Sequence, residues 1–219
     1  GFVYALSLAK GMIESEQVKN VLIITSETYS KYINNKDKSV RTLFGDAACC
    51  TFINSKEADA EQINKVIHGT DGSGAKHLIV PHGAHRNPID NLSFIEEMDA
   101  SKNLRSPSNL FMNGGAIYTF TLTKIPKVFN QILDSNNLTI DDLDLVIFHQ
   151  ANKFILDAMQ RKLKIPDEKM HRSYMEYGNT VSSTIPIGIK IEQDIKDNSE
   201  KKIALILGFG VGLSWAGTI

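Results

Sequence analysis

His149 ends the apolar run DLVIF (residues 144–148) and opens the corner HQAN, after which the chain continues with helical spacing. The carboxyl end of a buried strand is where α/β sheets present functional groups. A neutral imidazole there can donate a hydrogen bond without carrying charge. It could equally be a satisfied core histidine. Asn179 follows Gly178 in GNTVSSTIP (178–186), at the mouth of an expected helix. Its amide could serve a ligand or cap the free N–H groups of that helix. The third candidate is GFGVG (208–212), whose glycines allow a tight bend that aims N–H groups at a ligand, or a plain strand-to-strand turn. Taken singly, each segment leaves both readings open.

Other reactive types carry less. Cys49 and Cys50 are adjacent, so they cannot easily bond to each other, and they form no metal-ligand spacing. Two such cysteines fit a reducing compartment. The histidines at 68, 77, 82, 85 and 171 include the stretch HLIVPHGAHR, but they lack a carboxylate partner at helical spacing. No metal site is expected from them.

The elements that must position these residues follow from periodicity. Residues 2–17 place Phe2, Leu6, Ala9 and Ile13 on one face, which predicts a helix with a wide buried side. VLIIT (21–25) reads as a strand covered on both faces. The polar stretch SKYINNKDKSVRT reads as an exposed loop, and AACCTFIN (47–54) as a further strand. Between about 61 and 111, glycines and prolines predict turns and short extended pieces, with INKVIHGT a strand. Asn113–Asn136 returns to a helical period, and Pro126 could kink one helix or start a second. Strand 144–148, helix 151–163, helix 180–196 and the strands KKIALIL and LSWAGTI complete an α/β alternation.

Composition bounds the function. The 24 basic and 25 acidic side chains nearly cancel, so no global field draws the chain to nucleic acid or an anionic membrane. The apolar runs are far shorter than a bilayer span, and no signal peptide is expected before them. A cytoplasmic location is expected.

The joint order of MNGGAIYTF, FHQANKFIL, YGNTVSSTIP and GFGVGLSW, with FGDAACC (44–50) and the opening GFVYALSLA before them, resembles the β-ketoacyl-acyl carrier protein synthase III family of the thiolase superfamily. The resemblance covers essentially the whole chain. It implies a thiolase-like αβαβα layered fold, with an incomplete first half in residues 1–105 and a complete second half in 106–219. It also implies a homodimer.

It further implies a Cys-His-Asn triad whose second and third members are His149 and Asn179, two neutral donors aimed at the enolate oxygen formed when a malonyl thioester loses carbon dioxide. A second oxyanion hole would use the backbone N–H of Val211, with Gly210 and Gly212 shaping the bend. Many relatives carry glycine where this chain has Val211. The family's nucleophile lies in a Cys-x-Gly-Phe segment, which would place it two residues before Gly1. The chain is therefore expected to be the C-terminal part of a longer synthase and inactive alone, with sheet edges left uncovered.

Met112, Gly114 and Tyr118 match the family's pantetheine-channel helix, and Phe209 matches a residue near the active cysteine. Asn152 with the basic residues Lys153, Arg161 and Lys162 matches the coenzyme A and acyl carrier protein surface, although Phe154 stands where relatives commonly carry arginine. Acyl-CoA and malonyl-acyl carrier protein are the implied partners, with no cofactor, metal, membrane or nucleic acid. Two other functions stay in view: a synthase III-like acyltransferase of specialised metabolism or polysaccharide modification, and a non-catalytic binding or scaffold role.

Overall fold

The computed structural model describes residues 1–56, 61–195 and 202–219, so the expected ends at 196 and 201 fall outside the described residues. Helix α1 (Phe2–Glu14) leads into β1 (Asn20–Glu27), which pairs antiparallel with β2 (Ala47–Asn54). Then come β3 (Ile67–Thr70), β4 (Leu78–Ile79), β5 (Glu97–Met98), β6 (Leu104–Arg105) and β7 (Phe111–Met112). The last part holds α2 (Gly114–Ser135), β8 (Leu145–Phe148), α3 (Lys153–Leu163), α4 (Tyr174–Tyr177), α5 (Thr184–Ile195), β9 (Ala204–Gly210) and β10 (Ser214–Thr218).

A four-stranded sheet of order β3-β10-β9-β8 organises the molecule, with β8 parallel to β9 and the other pairs antiparallel. Every residue of β8 is buried because both sheet faces are covered. Val146 and Phe148 join the cluster under α2 and α3, where Phe129, Ile132, Leu156 and Met159 are at most 0% exposed. Leu145 and Ile147 face the opposite way, onto Phe2, Val3 and Leu6 of α1 and Ile185 of α5. Fully burying each such side chain contributes about 1.5–3 kcal/mol. Ile23 of β1 reaches the same second cluster. The order of layers is thus β1–β2, then α1 with α5, then the large sheet, then α2 with α3. On the far side of β1–β2, Leu22, Ile24 and Phe52 are exposed.

Several expectations change in detail. VLIIT is not covered on both faces: its burial alternates, with Ile23 and Thr25 inward and Leu22 and Ile24 outward. The strand β9 runs on through Gly208, Phe209 and Gly210, which leaves only residues 211–213 as the corner. Pro126 neither ends nor starts a helix; it sits buried inside the single helix α2, which Asn113 caps by accepting from Ala116 N–H at 3.0 Å. The stretch read as an exposed loop carries Asp37 and Val40, both 0% exposed, because Arg105 and a small apolar cluster close over it. Finally, β3 pairs with β10, so a strand from the stretch before residue 105 completes the large sheet.

Candidate active site

One cavity of about 330 Å³ gathers His149, Asn179, Phe209 and Val211 with Gly1 and Phe2 at the start of α1. Four different elements bring them there. His149 leaves β8, and its backbone N–H still donates to the carbonyl of Leu207 on β9 at 3.0 Å, which continues the parallel ladder by one residue. The imidazole meets Phe209 edge-on, with ring centroids 5.5 Å apart. Its Nδ1 lies 2.8 Å from the hydroxyl of Thr184, the first residue of α5. Burial is the main cause that pushes the imidazole down to about 4, while the carbonyl of Val181 works in the opposite direction. The ring is therefore neutral at pH 7.

Asn179 is fixed by its backbone. Its N–H donates to Leu43 at 2.8 Å, and its carbonyl accepts from Gly45 N–H at 3.0 Å. The preceding residue, Gly178, has φ +67°, and a Cβ there would come within 3.0 Å of the Leu43 carbonyl, so glycine is required for the approach. The side-chain oxygen of Asn179 accepts from Val181 N–H at 2.9 Å, a local cap of the turn before α5. The amide NH₂ donates to no described residue, so capping and ligand contact use opposite ends of one side chain.

Val211 is exposed in the turn between β9 and β10, and its carbonyl accepts from Ser214 Oγ at 2.7 Å. It also lines a second, largely apolar cavity of about 410 Å³, which shares Tyr29 and Leu78 with the first. The N-terminus of α1 opens on the first cavity, and its free N–H groups make that wall favourable to negative charge.

Other candidates lie outside this lining. Met112 packs with the Val40 cluster, and Gly114 begins α2 on the surface. Tyr118 stacks on the exposed Phe154 with ring centroids 4.9 Å apart. Asn152 caps α3, its side-chain oxygen accepting from Ile155 N–H at 2.9 Å. Lys153 is paired with Asp157 at 2.5 Å, whereas Arg161 and Lys162 are exposed in the last turn of α3 with no ion pair among the described residues.

Cys49 and Cys50 alternate inward and outward on β2, away from the cavity, and burial pushes the Cys49 thiol up. Among the described residues no group of three or more His, Cys, Asp or Glu side chains could hold a metal, and no helix is long and apolar enough to cross a membrane. His82 and His171 instead bond to Ser93 at 2.9 Å and to Glu192 at 2.8 Å.

Sequence reasoning missed Thr184, Glu27 and Ser182 on the cavity wall, where Ser182 Oγ donates to Glu27 at 2.5 Å. Glu27 had a usable signal, since it ends a strand as His149 does. Thr184 and Ser182 had none, because serine and threonine before a helix read as ordinary capping residues.

A β-α-β-α stack of this kind, with a cavity where strand ends meet a helix N-terminus, is a thiolase-like architecture. A crystal structure of a 3-oxoacyl-(acyl-carrier-protein) synthase III superposes with a TM-score of 0.96 at 42% identity, covering 100% of this chain and 65% of that one. The model for 3-oxoacyl-[acyl-carrier-protein] synthase III matches residues 1–72, and the model for the C-terminal part of the same family matches residues 133–219. Similar curated relatives include the β-ketoacyl-[acyl-carrier-protein] synthase III of Caldanaerobacter subterraneus subsp. tengcongensis, 33% identical over 100% of this chain and 63% of its own length. That of Clostridium perfringens is 35% identical, with 100% and 64% covered. The chain belongs to the β-ketoacyl-acyl carrier protein synthase III family, and it spans somewhat under two thirds of the length of these relatives.

Proposed function

We propose that the protein carrying this chain condenses an acyl-CoA primer with malonyl-acyl carrier protein, releasing carbon dioxide, in fatty-acid biosynthesis. It would do so as a homodimer in the cytoplasm. The observation that carries this reading is the convergence of His149 and Asn179 on one cavity, with the neutral ring and the free amide NH₂ as donors. Loss of carbon dioxide from a malonyl thioester leaves negative charge on the thioester oxygen, and fixed donors in a partly enclosed site stabilise that charge without reorganising. The acyl group would sit on the cysteine of the family's Cys-x-Gly-Phe segment, whose last two residues match Gly1 and Phe2, at the N-terminus of α1. The backbone N–H of Val211 would serve the acyl carbonyl, and Arg161 and Lys162 would meet the acidic carrier protein.

The test uses the full-length gene product with labelled acyl-CoA and malonyl-acyl carrier protein. One carbon dioxide per 3-oxoacyl product is expected. Acyl transfer to an alcohol or amine without carbon dioxide release would instead make the protein a synthase III-like acyltransferase of another pathway, and failure to take up acyl groups would favour a binding role.

Val211 supports a further expectation about the primer. Val211 lines both the cavity of about 330 Å³ and the apolar one of about 410 Å³. Val211→Gly keeps the backbone donor and removes a side chain from the shared lining of the two cavities. Relative kcat/KM should shift toward longer acyl-CoA primers, by about fourfold for each additional buried methylene. A competition assay with acetyl-CoA and longer straight-chain acyl-CoAs reads this directly, and an unchanged preference would assign the apolar cavity no part in primer binding.

A further inference from the structure

Among the described residues, Glu27 is the one carboxylate on the wall of the cavity that holds His149 and Asn179. It closes β1, and its side chain is half-buried. One carboxylate oxygen accepts from Ser182 Oγ at 2.5 Å, and the other accepts from no described residue. Ser182 in turn packs against the start of α1, where a Cβ on Gly1 would lie 2.8 Å from Ser182 Cβ. The carboxylate is therefore fixed on one side and open on the other. Its negative charge reaches Tyr29, whose phenol is pushed up first by burial and then by Glu27. Tyr29 lines both this cavity and the apolar one of about 410 Å³. No described lysine or arginine lines either cavity, and His149 is neutral at pH 7. A second negative charge would find no cation there to offset Glu27.

We infer that Glu27 is a specificity-determining residue that bars acyl groups ending in a carboxylate, so that the site takes uncharged primers and refuses dicarboxylic ones. This rests on the proposed condensation and names the class of primer for it. Two like charges in a partly enclosed site oppose each other far more strongly than in water. An uncharged acyl end meets no such opposition, and a terminal amide can give an N–H to the open oxygen of Glu27. The malonyl extender also brings a carboxylate, delivered by its carrier. When its C–C bond breaks, the negative charge passes to the thioester oxygen beside His149 and Asn179, and the carboxyl group leaves as neutral carbon dioxide. The repulsion is relieved in that step, whereas a primer carboxylate would keep its charge throughout.

Isothermal titration calorimetry of the full-length protein with two unreactive thioethers of coenzyme A tests the assignment. The carboxypropyl thioether ends in a carboxylate, and the carbamoylpropyl thioether is its uncharged amide of the same shape. At pH 7 the parent should bind the amide about 10- to 100-fold more tightly than the acid. Glu27→Gln, which keeps an acceptor oxygen for Ser182, should narrow that ratio to within about threefold, and Glu27→Asp, which keeps the charge, should retain most of it. Equal affinities in the parent would overturn the inference, as would an unchanged ratio in Glu27→Gln or a parent that binds neither compound. Neither thioether reacts, so the ratio is read apart from turnover. A protein that discriminates but releases no carbon dioxide keeps this role for Glu27 and loses the proposed condensation, and one that condenses without discriminating does the reverse.

Discussion

Replacing His149 with alanine should lower the rate of decarboxylative condensation by about 10²–10³-fold while acyl uptake from acyl-CoA continues almost unchanged. The two steps build charge on different atoms. Acyl transfer places it on the carbonyl oxygen served by backbone N–H groups, and decarboxylation places it on the malonyl thioester oxygen served by His149 and Asn179. Removing one fixed donor from a partly enclosed site costs about 2.7–4 kcal/mol of transition-state stabilisation, because water cannot enter to replace it in the same geometry. Asn179→Ala should act on the same step. The double variant should lose far less than the product of the two single losses, since both donors hold one oxygen.

The pH profile carries its own sign. Burial is the larger of the causes that lower the His149 pKa to about 4, so the imidazole stays neutral from pH 8 down through its ordinary value of 6.5. Condensation should show no inflection at that ordinary value. In the unfolded chain the ring regains its normal basicity, so the unfolded state binds the extra proton first as the solution is acidified. The stability tied to a neutral His149 is complete above about pH 6.5 and declines as pH falls toward 4. Equal losses of acyl uptake and condensation in His149→Ala, measured with labelled acyl-CoA and labelled malonyl-acyl carrier protein, would mean that the ring acts in acylation or only supports the fold.

What could be read from the sequence was whatever a local pattern encodes. The run LVIF gave β8, the spacing of Ile155, Leu156, Met159 and Leu163 gave α3, and Asn113 with the following helical period gave the start of α2. His149 and Asn179 became a pair only through their order in a family pattern, because nothing local shows that a strand end and a turn 30 residues later share a cavity. Thr184 stayed hidden for the same reason: its partner is 35 residues away and its type suits any helix start. The polar stretch from Ser30 to Thr42 misled more directly. Lysines and asparagines do face water there, yet Asp37 and Val40 turn inward onto partners supplied from residues 78–110, where the sequence has no period to read.

That inward turn sets the largest expected stability effect, for Asp37→Ala. The carboxylate is fully buried and saturated: one oxygen accepts from Arg105 Nε at 2.8 Å, and the other from Ser39 N–H at 2.9 Å and from the Ser39 hydroxyl at 2.5 Å. Arg105, itself largely covered, also pairs with Asp99 and lies over the ring of Phe111 at 5.3 Å. Alanine would leave a buried guanidinium half-compensated and two donors without an acceptor, at a cost of about 3–5 kcal/mol in denaturant unfolding of the full-length protein. Asp37→Asn, which keeps the shape and one acceptor oxygen, should cost less. Joint replacement by apolar residues, Asp37→Leu with Arg105→Met, should recover much of the loss, since the desolvation of both charges is then no longer opposed to folding. The effect should also reach the active site. Arg41 N–H donates to the Asp37 carbonyl, and a few residues on, Leu43 and Gly45 hold the backbone of Asn179 on both sides. Loosening this segment should therefore slow condensation in Asp37→Ala at temperatures where the protein is still folded, with acyl uptake less affected. Normal condensation in a clearly destabilised Asp37→Ala would show that Asn179 keeps its place without the segment, held by Gly178 and Val181 alone.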